Sequence, residues 1–348
     1  MIKLGVIFGG RSTENEVSVL SSKYVLMNLD KTKYTIYPIY IDKNGIWYKY
    51  EGKYEDLEMN KIPQDIHIIG NIIEHLKQFD VVFPVLHGMY GEDGTIQGLF
   101  EMLKIPYVGC KVLSSSIGMD KVYAKIVFEK AGINQAKSIY LRKKQDNYIY
   151  VNEKFDEETL ELNEVCNKIE EKLKYPMFIK PSNSGSSVGV SKATNDTELR
   201  NAILEAGKYD KKILIEEGIV GREVECAVLG NEEVIAGEVG EIKAADEFYS
   251  YDAKYNNEES RTIIPADIPE ETKQEIRKIA IKAFKAIDGK GLSRVDFFVE
   301  NNTGKVYINE INTMPGFTQI SMYPKLMRAF GISYKDLLDN LIKLATEF

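Results

Sequence analysis

The chain has 348 residues, with 45 Lys and Arg against 53 Asp and Glu and a formal net charge of −8. This length allows two or three ordinary domains with a large core, and the acidic balance, lacking any dense basic stripe, excludes nucleic acid and anionic membrane as default partners. Cys110, Cys166 and Cys226 lie far apart without CxxC spacing, which indicates neither a disulfide framework nor a zinc site and suits small-molecule chemistry in a reducing, cytoplasmic setting.

Over residues 1–112, apolar strand runs alternate with helical periodicity: IKLGVIFGG, a helix in EVSVLSSKYVLMNL, then YTIYPIYID, DVVFPVLHG, a helix in TIQGLFEMLK and the run IPYVGC. This β-α-β alternation predicts a parallel sheet with covering helices, and the polar stretch 43–76 reads as an insertion carrying a hairpin. A second block, 113–215, holds a helix over DKVYAKIVFEKAG, a strand in AKSIYLR, a charged loop through 143–160, a helix near LNEVCNKIEEKLK, and the strands YPMFIKP, GVSKA and KILIEE. The third block, 216–348, opens with strands REVECAVLG and EVIAGEVGEI, passes a polar loop at 244–262, and continues through the helix ETKQEIRKIAIKAFKAI to a hairpin and a last helix in SYKDLLDNLIKLATEF. No stretch approaches the roughly 18 consecutive apolar residues of a membrane span.

The hairpin, GLSRVDFFVENNTGKVYINEINTMPGFT (291–318), carries the strongest chemical signal. Gly304 suits the left-handed position of a three-residue loop closed between Asn301 and Lys305. That closure sets Asp296 opposite Glu310 and Arg294 opposite Asn312, all on one face shared with Phe298 and Ile308. Two carboxylates roughly 5 Å apart need a compensating cation, and hard oxygen donors predict Mg2+ beside Arg294.

Other segments add charge at expected ligand edges. Lys180 ends an apolar strand before the Ser/Gly-rich turn 182–189, which reads as a flexible lid over nucleotide phosphates and not as a Walker A loop. IFGGRSTENEVS places Glu14 and Glu16 at the carboxyl end of the first strand, where a cationic ligand group such as an ammonium is the better match. His87 occupies a turn with three glycines at the same edge. The loop FYSYDAKYNNEES is long enough to act as a lid, with Lys254 in reach of phosphate and Tyr255 over substrate. Gly316, after Pro315, offers a backbone N–H that with Arg294 would form an oxyanion hole.

Taken in order, GGRSTENEVS, LHGMYGEDGTIQG, GMDK, FIKPSNSGSSVGVSK, EFYSYDAKY, SRVDFF and NEINTMPGFTQISMYP resemble the D-alanine–D-alanine ligases of the ATP-grasp superfamily over nearly the whole chain. The resemblance implies a three-domain α/β ATP-grasp fold: an N-terminal doubly wound parallel-sheet domain at 1–112, a central subdomain at 113–215 and a C-terminal subdomain at 216–348. It also implies ATP held between the last two and a homodimer. Two Mg2+ ions, with Mn2+ as a substitute, would be bound by Asp296, Glu310 and Asn312. Lys121 and Lys180 would contact the phosphates, with Lys254 assisting; Glu216, Glu217 and Ile219 would line adenine, and Glu223 the ribose. Glu14 would pair with the ammonium of the first D-alanine, near His87, and Ser186 and Tyr255 would link to Glu14 and tie the lid loops down. Arg294 and Gly316 would stabilise the oxyanion, and Ser321 with Met322 would receive the carboxylate of the second D-alanine. The implied activity is ATP-dependent formation of D-alanyl-D-alanine for peptidoglycan. The alternative is joining D-alanine to D-serine or D-lactate, with the element Ala253-Lys254-Tyr255 favouring D-alanine.

Overall fold

The computed structural model describes residues 1–185, 187–243 and 261–347, whose strands form three sheets. The first has the order β4-β3-β2-β1-β5, from β1 (Ile2–Gly9), β2 (Tyr34–Ile41), β3 (Trp47–Tyr50), β4 (Ile66–Ile68) and β5 (Val81–Val85). β1 runs parallel to β2 and β5, as the helix-separated apolar runs require, and β5 is buried along its whole length. Helices α1 (Asn15–Asn28), α2 (Ile72–Leu76) and α3 (Thr95–Leu103) accompany it. The insertion at 43–76 supplies the antiparallel strands β3 and β4 at the sheet's edge and the short α2. IPYVGC contributes a single parallel bridge, Tyr107 to Val82.

The second sheet is antiparallel, in the order β10-β9-β11-β6-β7-β8, from β6 (Ser138–Lys144), β7 (Asn147–Val151), β8 (Glu157–Leu160), β9 (Met177–Pro181), β10 (Ser191–Ala193) and β11 (Lys212–Glu217). Two of these strands overturn the expected loop at 143–160: Tyr148, Tyr150, Val151 and Leu160 turn inward and bury, while the charges between them face water. Behind the sheet lie α6 (Leu162–Lys172) and α7 (Asp196–Tyr209), the latter burying Leu199, Ala202, Ile203 and Ala206 at helical spacing.

The third sheet has the order β14-β13-β12-β15-β16, from β12 (Gly221–Gly230), β13 (Val234–Lys243), β14 (Arg261–Ile263), β15 (Gly291–Glu300) and β16 (Val306–Asn312). One face, with Val224, Cys226, Val295 and Phe297, packs on α8 (Glu270–Ala286). Ala124 and Phe128 of α5 (Lys121–Lys130), which follows α4 (Val112–Met119), join that core, so residues 112–130 pack with the third sheet. The other face carries Ala227 and Leu229, covered by α9 (Met322–Phe330) and α10 (Tyr334–Ala345), and this core is continuous with Leu4, Val25 and Phe83 of the first sheet. The first and third sheets are thereby fixed to each other by apolar packing.

Candidate active site

The acidic hairpin forms with the expected pairing by an unexpected route. Its loop closes one residue earlier than the sequence suggests, between Glu300 and Lys305, and Val299 pairs with Val306. A bulge then inserts Asn309, which restores Asp296 opposite Glu310 and Arg294 opposite Asn312. The bulge also reverses one orientation: Ile308 pairs with Phe297 and lies 2% exposed in the core on the far face, not beside the carboxylates. Phe298 stays on the site face, where Glu223 sits opposite it and Glu225 opposite Asp296.

Arg294 grips both oxygens of Asp296 at 2.7 Å through Nε and Nη2, and its Nε lies 3.0 Å from Glu225. Burial works against the guanidinium, but Asp296 and Glu225 outweigh it and raise its pKa further. Among the described residues no three His, Cys, Asp or Glu side chains converge as a metal site, so a cation here draws a donor from an amide. Asn312 meets that need: its Nδ2 donates to Asp296 at 3.1 Å, leaving its oxygen as an acceptor. Asp296, Glu310 and Asn312 make an all-oxygen set of the kind Mg2+ prefers, and the residues therefore fit the ion.

Two lysines reach the hairpin from other elements. Lys121, in the first turn of α5, lies 3.5 Å from Glu310 and donates to the Ser184 carbonyl at 2.8 Å. Asp120 fixes that turn: it caps the Val122 and Tyr123 N–H groups and accepts from Ser182 at 2.6 Å and Lys212 at 2.5 Å. Lys180 on β9 donates to Asn309 at 3.3 Å and pairs with Glu216 at 2.6 Å. Lys125 takes the other Glu216 oxygen at 2.7 Å. Burial pushes Glu216 up, yet the two lysines hold its carboxyl at about 2. Glu217, next along β11, points elsewhere and accepts from the Lys174 N–H, while Ile219 is half-buried beyond the strand end.

The first sheet contributes the opposite wall. A Cβ at Gly88 would stand 2.5 Å from Glu14 Oε2 and one at Gly185 would stand 2.7 Å from it, so the acid lies between the His87 turn and the Ser-rich loop. Glu16 does not share this place, because it pairs with Lys43 at 2.9 Å near the surface. His87 Nδ1 donates to the Met314 carbonyl at 3.0 Å, and its Nε2 accepts from Ser21 at 2.9 Å. The same Ser21 oxygen accepts the Phe317 N–H at 3.2 Å, so one hydroxyl of α1 positions the loop carrying Gly316. Burial lowers the His87 pKa against the pull of Glu14 and keeps the ring neutral. Glu92, which accepts the Gly88 N–H at 2.7 Å, is pushed up to about 8 by burial and then by Glu14.

At the loop's end the Ser321 hydroxyl bonds Thr318 and approaches the position of a Cβ on Gly316, at 2.7 Å. The Met322 side chain is buried in the core, so what it offers a ligand is its backbone N–H at the start of α9, a donor without an intrahelical partner. Ser186, Lys254 and Tyr255 lie outside the described residues. Sequence reasoning missed Glu92, Ser21, Glu225 and Lys125. The last two were signalled by spacing: Glu225 is two strand positions from Glu223, and Lys125 is four helix positions from Lys121.

Comparison with known proteins adds the family. Residues 3–110 match the family described as D-ala D-ala ligase N-terminus and residues 127–343 the one described as D-ala D-ala ligase C-terminus. The chain is 52% identical to the D-alanine–D-alanine ligase of Acetivibrio thermocellus, over 98% of this chain and 95% of that one, and 49% identical to that of Clostridium acetobutylicum, over 99% and 97%. Among solved structures, the VanG D-Ala:D-Ser ligase from Enterococcus faecalis superposes with a TM-score of 0.85 at 38% identity, covering 99% of both chains. The D-alanine–D-alanine ligase from Coxiella burnetii superposes at 0.80 with 34% identity, covering 99% of this chain and 93% of that one. An acidic hairpin fed by two lysines, faced by Glu14 and set in an ATP-grasp fold, is thus found in a chain that belongs to the D-alanine–D-alanine ligase family.

Proposed function

We infer that this protein joins two D-alanine molecules into D-alanyl-D-alanine with ATP as the energy source, for peptidoglycan precursor synthesis. The observation that carries the reading is the meeting, on one hairpin face, of Asp296, Glu310 and Asn312 with Arg294, Lys121 and Lys180. Curated relatives at 52% and 49% identity that bear the D-alanine–D-alanine name support D-alanine over D-serine or D-lactate as the second substrate.

In this reading Glu216, the Glu217 backbone and Ile219 line the base and Glu223 the ribose, while Lys121 and Lys180 hold phosphate oxygens, with Lys254 beside them. Asp296, Glu310 and Asn312 would hold two Mg2+ ions, or Mn2+ in their place, which supply charge neutralisation of the phosphates. Glu14 binds the ammonium of the first D-alanine near His87, and Ser186 and Tyr255 close over it. The carboxylate of that D-alanine attacks the γ-phosphorus and ADP leaves. The amine of the second D-alanine, its carboxylate on Ser321 and the Met322 N–H, attacks the acyl carbon; the Arg294 guanidinium and the Gly316 N–H receive the oxyanion. Phosphate departs and the amine's proton is released. A neutral His87 and a protonated Glu92 keep the walls from adding charge beside Glu14, whose carboxylate the ammonium requires.

A homodimer and a cytoplasmic location belong to the same proposal. The exposed Met102 and Leu113, on the adjacent helices α3 and α4, support the first, and three unpaired buried cysteines support the second. Among the described residues no helix is long and apolar enough to cross a membrane. The test is incubation with ATP, Mg2+ and D-alanine, with and without equimolar D-serine or D-lactate, following ADP release and product mass. D-alanyl-D-alanine is expected to dominate every mixture; a mixed product winning, or no D-alanine-dependent ADP release, would refute the assignment.

A further inference from the structure

Lys125 has no part in the roles assigned above, yet it is one of the most enclosed cations in the chain. It is 6% exposed, its Nζ contacts Glu216 at 2.7 Å and the Ala136 carbonyl at 3.3 Å, and its own carbonyl accepts from Gln135 at 2.9 Å. Glu216 is 5% exposed and shares its two oxygens between Lys125 and Lys180. The lysines differ in aspect: the Lys125 side chain is 7% exposed and shut in, whereas that of Lys180 is 16% exposed and continues toward Asn309 of the hairpin.

A buried carboxylate with one ammonium partner forms a neutral pair, and in a low-dielectric setting such a pair resists giving its cation to a third group. Two ammoniums on one carboxylate exceed its charge by one, and the surplus falls on the more open member, which Glu310 and Glu223 also attract. We propose that Lys125 is a positioning residue for Lys180: by sharing Glu216 it loosens that carboxylate's hold on the Lys180 ammonium, which is then readier to receive nucleotide phosphate. The proposal rests on the nucleotide site inferred above and deepens it.

The experiment measures binding of ADP and of adenosine to the full chain by calorimetry with Mg2+, since the ratio of the two affinities isolates the phosphate contribution from the base. K125M is expected to lower ADP affinity relative to adenosine by about tenfold or more, and to raise KM for ATP more than it lowers kcat. K125M/E216Q removes one cation and one anion together, returns the group to a single positive charge, and is expected to bring the ratio within about threefold of wild type. An unchanged ratio in K125M overturns the proposal. So does a double variant that stays roughly tenfold low, and this arm decides the matter even where K125M alone, with its buried carboxylate half-paired, fails to fold. Wild-type protein that binds neither ADP nor adenosine would overturn the nucleotide site itself, and is thereby told apart from failure of the Lys125 role alone.

Discussion

Gly185→Ala tests the place of Glu14 with the least disturbance to the fold. The Gly185 backbone is not left-handed, so alanine is admitted without strain, but its Cβ would stand 2.7 Å from Glu14 Oε2, 3.4 Å from Cδ and 3.5 Å from Oε1. Carbon and oxygen rest about 3.3 Å apart or farther, so the carboxylate must retreat by roughly 0.5 to 1 Å. Displacements of about 1 Å in a positioned group cost up to about 10²-fold in rate, and kcat/KM for D-alanine should fall about ten- to a hundredfold, or about 1.4 to 2.7 kcal/mol. Stability should change by under about 0.5 kcal/mol, because the atom displaced is the far end of a flexible side chain. The assay titrates D-alanine at saturating ATP, follows ADP release, and pairs it with thermal unfolding and ADP binding, both expected unchanged. Gly88→Ala serves as the contrast: its Cβ would meet the same oxygen at 2.5 Å, but from a backbone at φ +73°, so it should lose activity and about 1 kcal/mol of stability as well. Activity within about twofold of wild type in a G185A protein of normal stability would refute the assignment of Glu14 to the first substrate.

Glu14→Gln should abolish ligation while ADP binding holds within about threefold, because the acid belongs to the first sheet's wall and the phosphate lysines to α5 and β9; loss of ADP binding would sink its role. Ser21→Ala leaves the His87 Nε2 and the Phe317 N–H without their buried partner and should destabilise the protein by about 1–3 kcal/mol, with a drop in kcat as the Gly316 loop loosens, read by thermal unfolding and steady-state kinetics. Glu92, held up to about 8 from an ordinary 4.5, keeps its proton in the folded chain where the unfolded chain has lost it, so its contribution to stability is full below about pH 4.5 and declines as pH rises toward 8. The difference in unfolding temperature between wild type and Glu92→Gln should follow that decline and flatten above about pH 8; a flat difference throughout would contradict the burial of a neutral carboxyl here.

The site is legible in sequence where a local period sets direction. Arg294, Asp296, Glu310 and Asn312 alternate along two strands joined by a turn with a glycine at positive φ, and their shared face follows from strand geometry alone. The bulge at Asn309 is not legible. Nothing in YINEIN marks it, and the expected pairing came out correct because a loop closed one residue early and a residue bulged out offset each other, with Ile308 alone betraying the difference. β7 and β8 are hidden by charge: the alternation in NYIYV is visible only once the lysines and glutamates around it are assigned to the solvent face. The contributions of Glu92 and Ser21 depend on contacts between elements remote in the chain, which spacing does not record, and spacing marks Lys125 without marking its partner. Ser21 meets Phe317 across 296 residues and Lys125 meets Glu216 from a different layer.

The Ser21 hydroxyl therefore ties the Gly316 loop to a helix made near the start of synthesis. At about 5–20 residues per second, the ribosome needs roughly 15 to 60 seconds to deliver Phe317 after Ser21. The first sheet has both its strands and its helices in hand long before then, but His87 has neither Met314 nor a fixed Ser21 to bind. A nascent or truncated chain that lacks this loop cannot assemble the reaction centre, and the competence to spend ATP arrives only with the final tenth of the polypeptide.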